Sequence, residues 1–413
     1  MHFLLSTFGS AGDVFPMVGL ALALQQQGHE ATIATNPHFE SLIRRHGIAF
    51  EATGAEAEFD ACIRHPDLWD PVKAFGLIAN TLKPILRQQY EIFAEHYSRR
   101  RDTVGLVNVY GFGALNAREK LGMKVLTLHL QPAGIWSDVD PPGLPNLFGP
   151  RWLKGLLYRV GCKLIIDPTI LPFLNAWRNE LGLRKVKSIT RWWNSPDGVL
   201  CMFPEWYAPA QPDWPPRVAF SDFPLWNDAA NQPLAPDIEN FLHAGAAPIA
   251  FTPGSANVHG ESFFRVAVEV CQKLGRRGLL LTSYAEQLPQ NLPDAVKHVR
   301  YAPLDLLLPK CAAFVHHGGI GSMSQAMLAG IPQYIMPLAH DQFDNAARIK
   351  KLGVGDSAPV KQFKAPLVSM LLKRLLNDVA VERACQDLAR RMAPREGLAK
   401  SVEALEQLAC IPG

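Results

Sequence analysis

Ala312-Ala313-Phe314-Val315-His316-His317-Gly318-Gly319-Ile320-Gly321-Ser322 carries the strongest structural signal in the chain. Its apolar start is that of a buried strand. Met323 to Leu328 resumes as a helix that Gly330 stops. A strand delivering glycines to a helix N-terminus makes an anion site, because the first backbone N–H groups there have no partner and no side chain keeps an anion away. Ser322 can add a hydroxyl and His317 a ring nitrogen. There is no GxGxxG and no Walker lysine, so a plain dinucleotide or ATP loop does not fit. The next strand, Ile331 to Pro337, runs into Leu338-Ala339-His340-Asp341-Gln342. Asp341 and Gln342 suit the hydroxyls of a sugar, although either could instead cap a helix.

The same grammar recurs outward from this stretch. Pro248 to Phe251 reads as a strand, Pro253-Gly254-Ser255 as a turn, Phe263 to Leu274 as a helix and Leu279 to Leu281 as a strand. At the start of the chain His2 to Leu5 is apolar, and Phe8-Gly9-Ser10-Ala11-Gly12-Asp13 is a small-residue turn. Pro16, a helical pattern over Met17 to Gln27, the stop Gly28 and a strand at Ala31 to Ala34 follow. Ser255 lies 245 residues after Ser10. Strand, glycine turn, helix, strand is the opening of a parallel α/β unit, so the expected architecture is α/β with two facing, doubly wound Rossmann-like domains.

The 413 residues suit two such domains. Hydrophobic residues make up 48% and charged residues 19%, as in a folded chain, and a net charge of +3 gives no general reason to bind nucleic acid. Seven scattered cysteines show no CxxC or Cys/His spacing, which argues against a disulfide framework and structural zinc. Met1 to Leu5 lacks a basic flank, and no run approaches the roughly 20 apolar residues of a membrane span. A cytoplasmic enzyme is expected.

Two stretches depart from this average. Phe203 to Pro224 carries six of the 33 prolines and six aromatic residues, and reads as a polyproline-like connection packed by its own rings. Arg151 to Trp193 holds nine basic residues against Asp167 and Glu180, interleaved with Trp152, Leu156, Leu157, Leu164 and Ile165. It reads either as solvated helices or as a basic amphipathic surface resting on anionic lipid, peripheral on the inner face of a membrane.

The run His317-Gly318-Gly319-x-Gly321-Ser322, Gly330-Ile331-Pro332, Pro337, Asp341-Gln342-x-x-Asn345 and Gly353 resembles the donor signature of nucleotide-sugar-dependent glycosyltransferases of the GT-B fold, the UDP-glycosyltransferase-like family 1. Gly9-Ser10-x-Gly12-Asp13-x-x-Pro16 resembles its bacterial and sterol branch. Ser195-Pro196, Phe203-Pro204-x-Trp206-Tyr207-Ala208-Pro209, Asp213-Trp214-Pro215, Phe223-Pro224-Leu225 and Ala339 to Asn345 resemble the rhamnosyltransferases of bacterial rhamnolipid biosynthesis, which act on a lipid.

The resemblance implies an inverting transferase with Asp13 as general base, although a helix N-cap is the alternative role for that residue. Donor contacts would come from Ser255, Tyr301 stacked on the nucleobase, Ala302, His317, Gly319, Gly321, Ser322, Gln325, Asp341 and Gln342. Gln325 stands where plant members carry a ribose-binding glutamate. The acceptor would meet Phe15, Asn108 and His129, Asn108 standing where plant members carry an aspartate. Segments 55–100 and 131–150 would line the acceptor pocket. Asp138-Val139-Asp140 matches a metal-binding DxD, but no metal and no cofactor is expected beyond a dTDP- or UDP-linked sugar. Expected domains are 1–225 for the acceptor, 226–240 as linker, 241–390 for the nucleotide sugar, and 391–413 as a helix returning to the first domain.

The activity so implied moves a hexose or deoxyhexose, L-rhamnose from dTDP-L-rhamnose above all, to a hydroxyl of a hydrophobic acceptor such as a hydroxyalkanoyl lipid. The alternatives are a UDP-glucose-dependent transferase of polyphenols, sterols or macrolides, a sugar-nucleotide epimerase of the same fold, and a non-catalytic nucleotide-sugar binder.

Overall fold

The computed structural model describes residues 1–71, 73–143, 149–228 and 233–410. Residues 144–148 of the expected acceptor-lining segment and 229–232 of the expected linker lie outside these. Contacts divide the chain into one unit of Met1–Leu68, Val72–Trp226 and Arg395–Gly413, and a second of Trp69–Pro71 and Asn227–Pro394.

The first unit is built on seven strands: β1 His2–Ser6, β2 Glu30–Thr35, β3 Ala49–Ala52, β4 Thr103–Val107, β5 Lys124–His129, β6 Val199–Cys201 and β7 Val218–Phe220. They pair in parallel in the order β3-β2-β1-β4-β5-β6-β7. Crossover helices cover a parallel sheet on both faces, which is why β1 and β4 are buried along their whole length. The second unit has β8 Ile249–Thr252, β9 Gly278–Leu281, β10 Val296–Val299, β11 Ala313–His316, β12 Gln333–Ile335 and β13 Gly355–Ser357, parallel in the order β10-β9-β8-β11-β12-β13. Strand order reverses between β1 and β4 in one sheet and between β8 and β11 in the other. Chains leave such a pair in opposite directions, so a crevice opens at their carboxyl ends.

Helix α1, Ala11–Gln26, begins six residues earlier than the pattern after Pro16 suggests. Ser10 closes a capping box: its hydroxyl accepts from the Gly12 N–H at 3.3 Å and its own N–H donates to Asp13 Oδ2 at 2.9 Å. The two bonds start the helix upstream of Pro16, and the proline removes only the one intrahelical bond its nitrogen would have made.

Three further expectations change. The expected linker 226–240 runs into a helix, Pro236–His243, and Leu234, Ile238 and Leu242 are buried with Ala250 and Phe314 in a core cluster of the second unit. Apolar spacing there outweighs the polar average. The proline-rich 203–224 is more than a connection, since it supplies β7, while its rings pack on one another as in the Phe203–Phe220 and Tyr207–Phe223 contacts at 6.0 and 5.3 Å. The basic stretch 151–193 is not one surface. Arg178 is buried, donating to both carboxylate oxygens of Glu119, to Asn116 Oδ1 and to the Arg184 carbonyl.

The helix Gly397–Cys410 packs against α1, β6 and β7 of the first unit. Ser401 Oγ donates to Ser221 Oγ at 2.9 Å, and His29 Nε2 meets Glu406 Oε1 at 2.8 Å.

Candidate active site

At the first switch point, the turn from β1 into α1 holds Asp13. Gly9 has φ +150°, and a Cβ there would stand 2.1 Å from Asp13 Oδ2, so the carboxylate occupies the space that any side chain at Gly9 would need. Burial pushes the Asp13 carboxyl up to about 6, against the lowering effect of its bonds from Ser10. A carboxylate with that affinity for a proton, held by a glycine turn at a sheet's carboxyl edge, has the protonation behaviour that a general base near neutral pH needs. The N-cap role expected as an alternative falls to Ser10 instead, and Asp13 stands at the third helical position, where its side chain closes the capping box. The cap is what aims the carboxylate.

Asn108 follows β4 on the other side of the switch point. Its Nδ2 donates to Thr7 Oγ1 at 3.2 Å and to the Phe8 carbonyl at 2.9 Å, and its Oδ1 accepts from the Tyr110 N–H at 3.1 Å. These bonds lock the loop that carries Gly9. An aspartate here could not donate to both oxygens, which is the physical content of the departure from the plant pattern. Gln89 does similar work beneath: it donates to Ser6 Oγ at 2.8 Å and accepts from the Gly113 N–H at 2.9 Å. Nothing in the sequence marks Gln89, which sits in the long helix Ala74–Arg99 among residues of no motif.

His129 ends β5, with Nε2 2.6 Å from Asn194 Oδ1. Burial lowers its ring to about 4, so it is neutral at physiological pH. Since Asn Oδ1 only accepts, the proton belongs on Nε2. Phe15 is not brought beside Asp13. It leaves α1 two residues later, on the other side of the helix, where its ring meets Trp226 edge-on at 5.5 Å.

At the second switch point, β11 ends on His316-His317-Gly318-Gly319 and the helix Ile320–Ala329 begins. Its N-cap is Gly319, which offers no side chain to the first amides. His316 accepts from the Gly318 N–H at Nδ1 and meets Gln333 Oε1 at Nε2, at 3.0 and 2.9 Å, so it is a neutral brace. His317 lies between two glycines. A Cβ on Gly254, at φ +103°, would come within 2.9 Å of its Cε1, and one on Gly319 within 2.6 Å of its Nε2. Burial pushes the ring down to about 3, so it too is neutral, and its Nδ1 is buried with no partner among the described residues. Gln325 Oε1 is left in the same condition. Buried polar atoms without partners are costly, and here they flank an uncapped helix start.

The other expected donor residues divide. Ser255 and Gly321 are exposed and Ser322 is half-buried. Tyr301 is 57% exposed, as a stacking platform requires, whereas the Ala302 methyl is buried in an apolar cluster and leaves only its backbone to a ligand. Gln342 is buried, and its Oε1 accepts from the Leu338 and Ala339 N–H groups at 2.7 and 3.2 Å, so its oxygen is committed to its own loop. His340 sits at φ +60°, turning the chain sharply before Asp341. Asn345, absent from the expected contacts, is fully buried and donates to the Gly318 carbonyl at 2.8 Å and to Asp341 Oδ2 at 2.7 Å, so one side chain ties the glycine loop to the Asp341 carboxylate.

The DxD aspartates are opposed by arginines. Asp138 faces Arg159 and Arg191 at 2.5 and 3.5 Å, and Asp140 faces Arg151 at 3.8 Å. Among the described residues no group of three acidic, histidine or cysteine side chains could hold a metal ion.

Residues 3–128 match the family model for the glycosyltransferase family 28 N-terminal domain, and residues 279–408 that for the erythromycin biosynthesis protein CIII-like C-terminal domain. Sterol 3-beta-glucosyltransferase UGT80B1 of Arabidopsis thaliana is 24% identical over 97% of this chain, which spans 66% of that protein's length. The O-mycaminosyltylonolide 6-deoxyallosyltransferase of Streptomyces fradiae is 24% identical over 99% of this chain and 98% of its own. Among solved structures, the glycosyltransferase of kitacinnamycin superposes with a TM-score of 0.73 at 21% identity over 99% of both chains. The spinosyn rhamnosyltransferase SpnG complexed with thymidine diphosphate superposes at 0.67 and 19% identity over 95% of this chain and 96% of its own. A family model on each half of the chain, whole-length similarity to glycosyltransferases and two parallel-sheet units that superpose on solved glycosyltransferases make this chain a glycosyltransferase of the GT-B type.

Proposed function

We propose that the protein transfers a hexose or deoxyhexose from a nucleoside diphosphate to a hydroxyl of a hydrophobic acceptor, with inversion at the anomeric carbon. The observation that carries this is the pairing, in one chain, of a high-pKa carboxylate at one switch point with an uncapped, glycine-lined helix start at the other. Asp13 takes the acceptor hydroxyl proton as the oxygen forms its bond to the anomeric carbon. The bond from that carbon to the diphosphate oxygen breaks, and its electron pair leaves with the nucleoside diphosphate. The amides of Ile320, Gly321 and Ser322, the Ser322 and Ser255 hydroxyls and the His317 ring supply donors for the charge that accumulates there. This set needs no metal and no cofactor. Tyr301 stacks on the base, Gln325 faces the ribose, and Asp341 and Gln342 hold the sugar.

L-rhamnose from dTDP-L-rhamnose is the favoured donor and a hydroxyalkanoyl lipid the favoured acceptor, on the motif resemblance and on the likeness to a rhamnosyltransferase solved with thymidine diphosphate. UDP-glucose with a sterol or macrolide is the second reading, favoured by the plant sterol glucosyltransferase among the relatives. The purified chain, incubated with each donor and a panel of hydroxylated lipids, sterols and macrolides, is expected to give one product whose mass is acceptor plus deoxyhexose. A hexose adduct selects the second reading. Donor consumption without any acceptor present refutes transfer.

A further inference from the structure

Among the described residues, six of the exposed large apolar side chains fall within 14 positions of one segment: Trp152, Leu156, Leu157, Val160, Leu164 and Ile165. Trp152 and Leu164 are 70% and 69% exposed. They belong to the helix Arg151–Gly161 and the wider π turn Cys162–Ile166 that continues it. Offsets of four, five, eight and twelve from Trp152 gather on one side of a helix.

That side is not a core face left open by loose packing, because the opposite side is fixed. A Cβ on Gly155 would stand 2.3 Å from the Asp138 carbonyl, the Tyr158 ring stacks on Trp136 at 4.9 Å, and Cys162 is buried. A helix so anchored, presenting apolar residues to water where a solvated face carries polar ones, is ordinarily covered in use.

Charge tells what covers it. Arg151, Lys154 and Lys163 border the stripe. The nearby acids, Asp138 and Asp140, lie on the supporting loop and face Arg159, Arg191 and Arg151. An apolar stripe with a tryptophan and a cationic border fits the boundary between headgroups and acyl chains of an anionic layer, where the ring and leucines enter and the cations meet phosphate. The geometry points to this face as a docking surface for an anionic lipid layer. No helix among the described residues is long and apolar enough to cross a membrane, so contact is by lying on it. The supporting loop follows β5 at the same carboxyl edge that carries Asp13, so a hydroxylated amphiphile residing in the layer is delivered at that edge. This last step rests on the acceptor reading proposed above, whereas the docking does not.

The test uses the full chain with sedimenting vesicles of phosphatidylcholine alone or mixed with phosphatidylglycerol, at low and high salt. Wild type is expected to sediment with the anionic vesicles only. Trp152→Ser/Leu164→Ser should cut the partition about tenfold or more at either salt, and Lys154→Gln/Lys163→Gln should cut it at low salt only. Thermal melts and nucleotide binding, unchanged in both variants, separate surface loss from misfolding. Wild type free of anionic vesicles, or variants that bind equally well, overturn the proposal. So does a dimer that Trp152→Ser/Leu164→Ser dissociates in the absence of vesicle binding, since a second copy would then be the occupant. Vesicle binding without transfer to any hydroxyl leaves the surface standing and sinks the acceptor reading.

Discussion

Replacing Asp13 by asparagine separates its chemistry from its structural role. The substituted side chain would keep the bond from the Ser10 N–H, now 2.9 Å to Asp13 Oδ2, because an amide oxygen accepts as a carboxylate does. What is lost is the base, worth roughly 10²–10⁴ in turnover. What is gained is relief from burying a charge. The carboxyl rises from 3.8 to about 6 on folding, so the unfolded chain gives up its proton first. Stability of the wild type therefore falls as pH climbs from about 4 to about 6, and the full cost is present above that. At about 1.36 kcal/mol per pH unit the shift bounds this cost at about 3 kcal/mol, and partial exposure of the side chain reduces it to about 1–2 kcal/mol. Asp13→Asn is thus expected to lose transfer activity while melting a few degrees higher at pH 8 and unchanged at pH 4. In the wild type, kcat/KM should fall about tenfold per pH unit below 6 and level off above it. Product formation by chromatography, thermal melts at both pH values and nucleotide binding by calorimetry check each part. A variant that turns over within a few-fold of wild type, or a wild-type profile flat between pH 5 and 8, refutes the assignment of Asp13 as base.

Gly9→Ala places a methyl 2.1 Å from Asp13 Oδ2 in a backbone region that side chains avoid; transfer should drop at least about tenfold while nucleotide binding, measured separately, stays. Gly319→Ala drives a methyl to 2.6 Å from His317 Nε2 and should weaken nucleotide-sugar binding in calorimetry with little change in the Asp13 pH profile. Because His317 is pushed down to about 3, it stays neutral from pH 5 to 8, and nucleotide-sugar affinity should show no inflection in that range. Asn345→Ala removes the amide that donates to both the Gly318 carbonyl and Asp341 Oδ2 and should cost about 1–3 kcal/mol in urea unfolding, together with a higher KM for the donor.

The second sheet is the most legible part of the sequence, because a parallel strand buried on both faces must be apolar and must end where glycines begin. Ala312 to Ser322 states both conditions within eleven residues. The start of α1 is less legible, because Pro16 is a stronger local signal than a capping box whose two bonds form only when the chain is already turned. The helix at the far end of the expected linker is hard to read for a related reason: only the spacing by four of Leu234, Ile238 and Leu242 marks them as a buried helix face.

Residue order alone marks two glycine turns of one kind, an acid after the first and a histidine in a strand-to-helix turn later in the second half. These are local facts, written in residue types and short spacings. Folding sets the environment in which those residues stand. It drove the Asp13 carboxyl up and the His317 ring down, since both shifts come chiefly from burial. It left His317 Nδ1 and Gln325 Oε1 without partners among the described residues, committed the Gln342 oxygen to its own loop, and turned Phe15 away from Asp13. It also divided the basic stretch, burying Arg178 against Glu119 while leaving Trp152 and Leu164 in water. Desolvation and hydrogen-bond satisfaction depend on every neighbour a side chain meets, and the chain brings most of those neighbours from far along its length.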